Sequence, residues 1–223
     1  MPLPIDVTVL VAVFNGEKHV GRCLRSLLTQ ICPSVTYQVM VVNDGSTDLT
    51  PYALSLFTDG KHSKVKQITL KENLGLPSAL NTGLTHTDSK YVVRVDSDDF
   101  VNQNFINFLH FYLETNEQIG AVDCDYYLVD EAEKVIKRQS AKTHPIACGV
   151  MFRRNLLESI GAYNPAFKIN EEKELMIRFA KKYKVSHLTI PLYRYRKHSG
   201  NMTNDANEVD KYDQLLKEKF KGG

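Results

Sequence analysis

The sequence predicts an α/β fold with a mainly parallel central sheet flanked by helices and a small antiparallel portion in the C-terminal half. Three observations carry this. Through the first half of the chain, short apolar runs alternate with amphipathic stretches, the pattern of a parallel sheet covered on both sides. The runs are apolar almost throughout rather than alternating, as strands buried on both faces require. After about Gly120 the pattern changes to one that suits paired antiparallel strands.

The elements follow in order. Val7 to Phe14 is apolar apart from Thr8 and reads as the first strand. Val20, Cys23, Leu24, Leu27, Leu28 and Ile31 then recur at helical spacing and make one apolar stripe. Val39 to Val42 is the second strand. Thr50-Pro51 is a helix start, with a hydroxyl cap followed by proline at the first helical position. Val65 to Leu70 is the third strand, Pro77 to Leu84 a helix, and Tyr91 to Val95 the fourth strand. Phe105, Phe108, Leu109, Tyr112 and Leu113 mark another helical face.

Beyond Gly120, Val122 to Val129 and Val135-Ile136 flank the turn Glu131 to Lys134 as an antiparallel pair. A helix from Glu172 to Tyr183, a strand from His187 to Tyr195 and a helix from Val209 to Phe220 complete the reading. The expected division is one domain over 1–205, with halves 1–119 and 120–205, and a C-terminal helix or tail over 206–223.

Composition narrows the function. A chain of 223 residues, 43% of them hydrophobic, buries a sizeable core without disulfides or structural metal. A net charge of only +2 argues against a nucleic-acid binder, which needs a basic excess to neutralise phosphates. Cys23, Cys32, Cys124 and Cys148 show no CxxC pair and no zinc spacing, as expected of a reducing, cytoplasmic protein. The longest apolar run, Val9 to Phe14, is far short of the roughly 20 residues a membrane span needs. The opening segment Met1 to Asp6 lacks the basic region of a signal peptide.

Two acidic turns carry the chemistry. Asp96-Ser97-Asp98-Asp99 follows directly on the fourth strand, and ligands of open α/β sheets bind beyond the carboxyl ends of strands. Clustered carboxylates repel one another unless a cation compensates, and their hard oxygens suit Mg²⁺ or Mn²⁺. A plain capping turn is the alternative. Asn43-Asp44-Gly45-Ser46-Thr47-Asp48 follows the second strand; a carboxylate there can accept from a base N–H or a ribose hydroxyl, or it can cap the helix near Pro51.

Taken together, the motifs resemble those of the family 2 glycosyltransferases of the GT-A fold, over nearly the whole chain. Val11-Ala12-Val13-Phe14-Asn15-Gly16-Glu17 is similar to that family's first strand and nucleotide-contacting turn. Val42 to Asp48 resembles its acidic turn, with Asn43 where an aspartate is more usual. Asn73-Leu74-Gly75 with Asn81-Thr82-Gly83 is similar to the helix before the metal motif, and Asp96-Ser97-Asp98-Asp99 to its DxD signature. Gly161-Ala162-Tyr163-Asn164 with Glu171-Glu172-Lys173-Glu174-Leu175 resembles the segment holding the base. Tyr195-Arg196-Lys197-His198-Ser199-Gly200-Asn201 resembles a late motif that closes over the diphosphate.

The resemblance implies a role for each position. Asp44 reads the nucleobase, with Val13, Asn15 and Glu17 lining the same pocket, and Asn73 helps hold the nucleotide. Asp96 contacts ribose or metal, Asp98 coordinates the metal, and Arg196 and His198 approach the diphosphate. The base position is usually aspartate; here it is Glu172, with Glu171 as the alternative. Without the resemblance, both glutamates read as first-turn acids that complement a helix dipole. Leu80 stands where an arginine is common, which leaves Arg94, Arg196, His198 and the metal to neutralise the diphosphate.

The implied reaction is metal-dependent, inverting transfer of a sugar from a nucleotide-diphospho-sugar, by default UDP-linked, to an acceptor hydroxyl. A saccharide or lipid-linked saccharide acceptor in surface-polysaccharide or glycolipid synthesis is the implied setting. The alternative is a catalytically inactive partner that binds the nucleotide-sugar. A sugar-nucleotide pyrophosphorylase fits poorly, because Asn15-Gly16-Glu17-Lys18 lacks a glycine-rich loop. His19, His62, His86, His110 and His144 read as surface or packing residues, and Tyr126-Tyr127 as half-buried strand residues or part of an acceptor wall. The last helix reads as docked on the domain with a solvated basic face; peripheral contact with the inner face of a membrane is the alternative.

Overall fold

The computed structural model describes residues 4–58, 63–198 and 206–220. Val7–Val13 (β1), Tyr37–Asn43 (β2), Val65–Thr69 (β3) and Tyr91–Arg94 (β4) form a parallel block in the order β3-β2-β1-β4. The crossovers run through helices Val20–Leu28 (α1), Thr50–Thr58 (α2) and Leu76–Thr85 (α3). β4 is buried at every position and β1 and β2 at nearly every one, which is why their sequences show no polar alternation.

The second half extends the same sheet. Phe100–Val101 (β5), Phe105–Thr115 (α4), Ile119–Val129 (β6), Val135–Gln139 (β7), Met151–Arg153 (β8) and Arg154–Ser159 (α5) lead to Glu171–Ala180 (α6), Lys184–Arg196 (β9) and Ala206–Phe220 (α7). The complete path is β3-β2-β1-β4-β8-β6-β9-β5, with β7 paired to β6. β8 lies antiparallel to both β4 and β6 and so joins the halves. β6 and β9 pair in parallel, and β6 and β7 form the expected antiparallel pair.

Successive strand residues face opposite ways, so the sheet has a core on each side. Val7, Val9, Val11 and Val13 pack with Leu24 and Leu27 of α1 and Phe105 and Leu109 of α4. Leu10, Met40 and Val92 pack with Leu80 and Leu84 of α3 and Leu175 and Phe179 of α6. The four cysteines are free and buried within this packing.

β5, β8 and α5 go beyond the sequence reading: they are short, and β8 is fixed by its two neighbours rather than by its own pattern. α6 begins at Glu171 rather than Glu172 and stops at Ala180 rather than Tyr183. β9 is longer than expected at both ends. α7 is docked: Tyr212 is buried in a small cluster with Phe167 and Ile169, and Lys219 Nζ lies 2.6 Å from Glu174 Oε1. Among the described residues, no helix is long and apolar enough to cross a membrane.

Candidate active site

The C-terminal ends of β1, β2 and β4 open into one cavity of about 620 Å³. The first two turns are stitched together above the sheet. Asn15, at φ 50, sits in the left-handed region; its N–H donates to Ser46 Oγ (3.0 Å) and its Oδ1 accepts from Thr47 N–H (2.8 Å). Gly16 N–H donates to Thr50 Oγ1 at 2.8 Å. Gly45 has φ 71 and lies so close to the loop before α3 that a Cβ there would meet the Glu72 carbonyl carbon at 2.5 Å. Only glycine fits that approach.

That close approach brings Asp44 to the loop. Its buried carboxylate accepts the N–H groups of Leu74 (2.8 Å) and Gly75 (2.9 Å), and Asn73 Oδ1 also accepts from Gly75 (3.0 Å). Asp44, Asn73, Val13 and Asn15 all border the cavity. Asn43 points into the protein: its Oδ1 accepts from Ser46 N–H, and its Nδ2 is buried with no partner among the described residues.

The turn after β4 supplies three carboxylates with different surroundings. Asp96 receives a two-pronged contact from Arg94, Nε to Oδ1 at 2.5 Å and Nη2 to Oδ2 at 3.1 Å. Burial pushes its carboxyl upward, while Arg94 opposes the shift. Asp99 is buried, accepts from Tyr193 Oη (2.8 Å) and the Arg196 N–H (2.7 Å), and is pushed well up by burial and by Asp98 and Asp96. Asp98 is the most open of the three, and its Oδ2 lies 2.9 Å from His198 Nε2.

Ligand atoms of Asp96, Asp99 and Cys148 lie within 4.8 Å of one another. This trio suits a hard cation poorly, because a thiol is a soft ligand and burial pushes the Cys148 thiol well up, disfavouring the thiolate. Asp98, Asp96 and His198 offer oxygen and imidazole donors that fit Mg²⁺ or Mn²⁺.

Across the cavity, three acids occupy the first turn of α6. Glu171 is buried and pairs with Arg94 Nη1 at 2.7 Å. Glu174 is buried and pairs with Arg178 (2.6 Å) and Lys219 (2.6 Å). Glu172 has no side-chain hydrogen-bond or ion-pair partner among the described residues, its own backbone N–H apart, and it borders the cavity. Burial, and then the charge of Glu171, push its carboxyl up to about 7.

Most predicted residues therefore meet in one place, with two exceptions. Glu17 leaves the wall: its Oε2 accepts from Leu49 N–H at 2.8 Å, which fixes the turn before α2. Arg196 is buried and also off the wall. Its guanidinium binds the carbonyls of Asp98 (2.9 Å) and Glu131 (3.0 Å) and the Glu133 carboxylate (3.0 Å), bracing the acidic turn from behind. Ser199, Gly200 and Asn201 lie outside the described residues.

The cavity also holds residues the sequence reading passed over. His19, expected to be a surface or packing residue, borders it with its ring 5.2 Å from that of His198. Burial, then Arg196 and His198, lower its basicity. Lys168 and Asn170, shortly before Glu172 in the chain, also line it, as do the apolar Ile146 and Ala147. Lys168 makes no ion pair among the described residues. Tyr126 and Tyr127 are not on the wall: Tyr126 donates to the His144 carbonyl at 3.0 Å, and Tyr127 lies under Arg194.

Comparison with known proteins places these features in context. Residues 8–173 match the family model described as Glycosyl transferase family 2. An uncharacterized glycosyltransferase of Haemophilus influenzae is 31% identical over 71% of this chain and 48% of its own length. Glycosyltransferase GlyA of Streptococcus pneumoniae is 36% identical over 57% of this chain and 18% of its own. The chain thus spans less than half the length of these relatives. Among solved structures, S. aureus TarS 1–349 in complex with UDP-GlcNAc aligns with TM-score 0.80 at 19% identity, covering 95% of this chain and 65% of that one. The mannosyltransferase PcManGT of Pyrobaculum calidifontis, in complex with GDP-Man and Mn²⁺, aligns with TM-score 0.74 at 20% identity, covering 97% and 64%.

Proposed function

We propose, from the premise that this chain belongs to the family 2 glycosyltransferases, that it transfers a sugar from a nucleotide-diphospho-sugar to an acceptor hydroxyl with inversion at the anomeric carbon. The observation that carries this reading is Glu172. It is the one unpaired acid of its helical turn, it is held near 7, and it faces Asp96 and Asp98 across one cavity. A general base works best when its pKa lies near the operating pH.

The chain's own residues divide the work. Asp44, Asn73, Val13 and Asn15 form the wall that receives the nucleoside. Asp98 and Asp96, with His198 beside them, would hold Mg²⁺ or Mn²⁺. That ion supplies Lewis-acid stabilisation of the charge that develops on the departing diphosphate. Glu172 accepts the acceptor's hydroxyl proton as oxygen attacks the face opposite the leaving group, and the transition state carries oxocarbenium character. Ile146 and Ala147 add apolar lining to the same cavity, which would limit water there and favour the acceptor hydroxyl over hydrolysis.

Uridine is the proposed base of the donor, in keeping with the UDP-GlcNAc held by one structural neighbour; the GDP-Man of another makes guanosine the comparison to run. A saccharide or lipid-linked saccharide serves as acceptor. The proposed division of the chain keeps 1–205 as the catalytic unit, with 206–223 as its docked appendage.

The test is release of nucleoside diphosphate from UDP-, GDP- and dTDP-sugars with Mn²⁺ and a mixed acceptor pool. Glu172→Gln is expected to lower release by about a hundredfold or more while leaving donor binding in place. Binding without release from any donor would favour a non-catalytic module. Unchanged release in Glu172→Gln would remove the base assignment.

A further inference from the structure

We infer that Arg94 is a positioning residue that couples the two sides of the site: by gripping Asp96 and Glu171 at once, it sets the first turn of α6, and so Glu172, against the donor turn. The inference rests on reading Glu172 as the base.

Arg94 is the last residue of β4, and its side chain is only 4% exposed. One edge of its guanidinium meets both oxygens of Asp96, and Nη1 reaches Glu171 Oε1 at 2.7 Å. The second contact joins residues 77 apart in sequence, with both side chains buried. A planar fork spans two carboxylates in fixed directions, whereas a lysine ammonium acts as a single point charge. The grip therefore carries geometry as well as charge.

The start of α6 needs such an anchor. Its N-cap, Asn170, has a left-handed φ of 61 and makes no capping hydrogen bond; its Nδ2 donates to Asp213 of α7 instead. The turn is held from outside: Glu171 by Arg94, and Glu174 by Arg178 and Lys219. Because both flanking acids are held, Glu172 is left to face the cavity unpaired. The charged groups around it are Glu171 and Lys173 on its own helix, Lys168 just before it, Arg94 from β4, and Asp96, Asp98 and His198 on the opposite wall.

Two neighbouring charges therefore act on Glu172 in opposite senses. Glu171 pushes its carboxyl up and Arg94 draws it down. Changing one partner or the other should move Glu172 in opposite directions, which mere loosening of the site cannot do. Loosening admits water and lowers the midpoint in every variant.

The experiment is ¹³C NMR titration of glutamate-labelled protein, with Glu172→Gln assigning the resonance, alongside donor turnover. In Glu171→Gln the Glu172 midpoint should fall by about one pH unit, and in Arg94→Met it should rise by about as much. Arg94→Lys keeps the charge should Arg94→Met fail to fold; there the midpoint stays near wild type while kcat falls about tenfold or more, as a misplaced base predicts. An unmoved midpoint in Glu171→Gln, or a fall in every variant, overturns the inference while leaving the base reading intact. Wild-type turnover in Glu172→Gln overturns the base reading, and the inference with it.

Discussion

Replacing Glu172 by glutamine should stabilise the protein in alkaline solution while it removes activity. The carboxyl rises from an ordinary 4.5 to about 7 in the folded chain. A pKa raised in the folded state makes ionisation unfavourable to folding. Below about pH 4.5 the group is neutral in both states and carries no penalty; the penalty then grows as pH rises, reaching its full size above about 7. A rise of about 2.5 units corresponds to about 3 kcal/mol at 1.36 kcal/mol per unit. Glu172 borders an open cavity, so solvent screening reduces the working figure to about 2 kcal/mol. Glutamine has nearly the same shape and no charge to bury. Urea unfolding without nucleotide or metal, at about pH 5 and about pH 8.5, measures the difference through the midpoint at constant slope. The variant should match wild type to within about 1 kcal/mol at the lower pH and exceed it by about 2 at the higher. A variant less stable than wild type at both would refute the unpaired, partly desolvated carboxylate on which the mechanism rests.

As the proposed base, the same group should set the pH dependence of transfer: kcat should fall about tenfold per unit below pH 7 as Glu172 takes up a proton, and a profile flat down to about pH 5 would exclude it as base. Gly45→Ala forces a Cβ against the Glu72 backbone at φ 71, so it should cost about 2 kcal/mol or more in urea unfolding and weaken nucleotide binding through Asp44. Arg196→Met removes a buried guanidinium that braces the acidic turn and should cost about 3 kcal/mol. A variant of normal stability with only a raised donor KM would instead return Arg196 to the diphosphate.

Much of this arrangement is legible in the sequence, for identifiable reasons. β1, β2 and β4 are buried on both faces, so their apolar runs stand out, and each ends in an Asn, Asp or Gly turn that the chain cannot continue as strand. The acidic turns show themselves because each follows directly on an apolar strand, at the end of the sheet where ligands bind. What stayed hidden depends on distant partners. Met151 to Arg153 becomes a strand because β4 and β6 flank it. Glu171 and Glu172 are equivalent by local pattern; what sets them apart is Arg94, which pairs with Glu171 from 77 residues away. Arg196 and His198 lie two residues apart in one motif, yet one is buried behind Asp98 and the other meets Asp98 from the cavity. Lys168 and His19 carried no signal, because a single basic residue beside a cavity has no sequence signature.

The central claim is a nucleotide-diphosphate site completed by a metal on Asp98. Isothermal titration of UDP and GDP, each with and without Mn²⁺, into wild type and Asp98→Asn tests it most directly. Binding of one nucleotide should depend on Mn²⁺ and weaken about tenfold or more in Asp98→Asn. Binding of neither nucleotide to the folded wild type, or binding indifferent to both Mn²⁺ and Asp98, would contradict it.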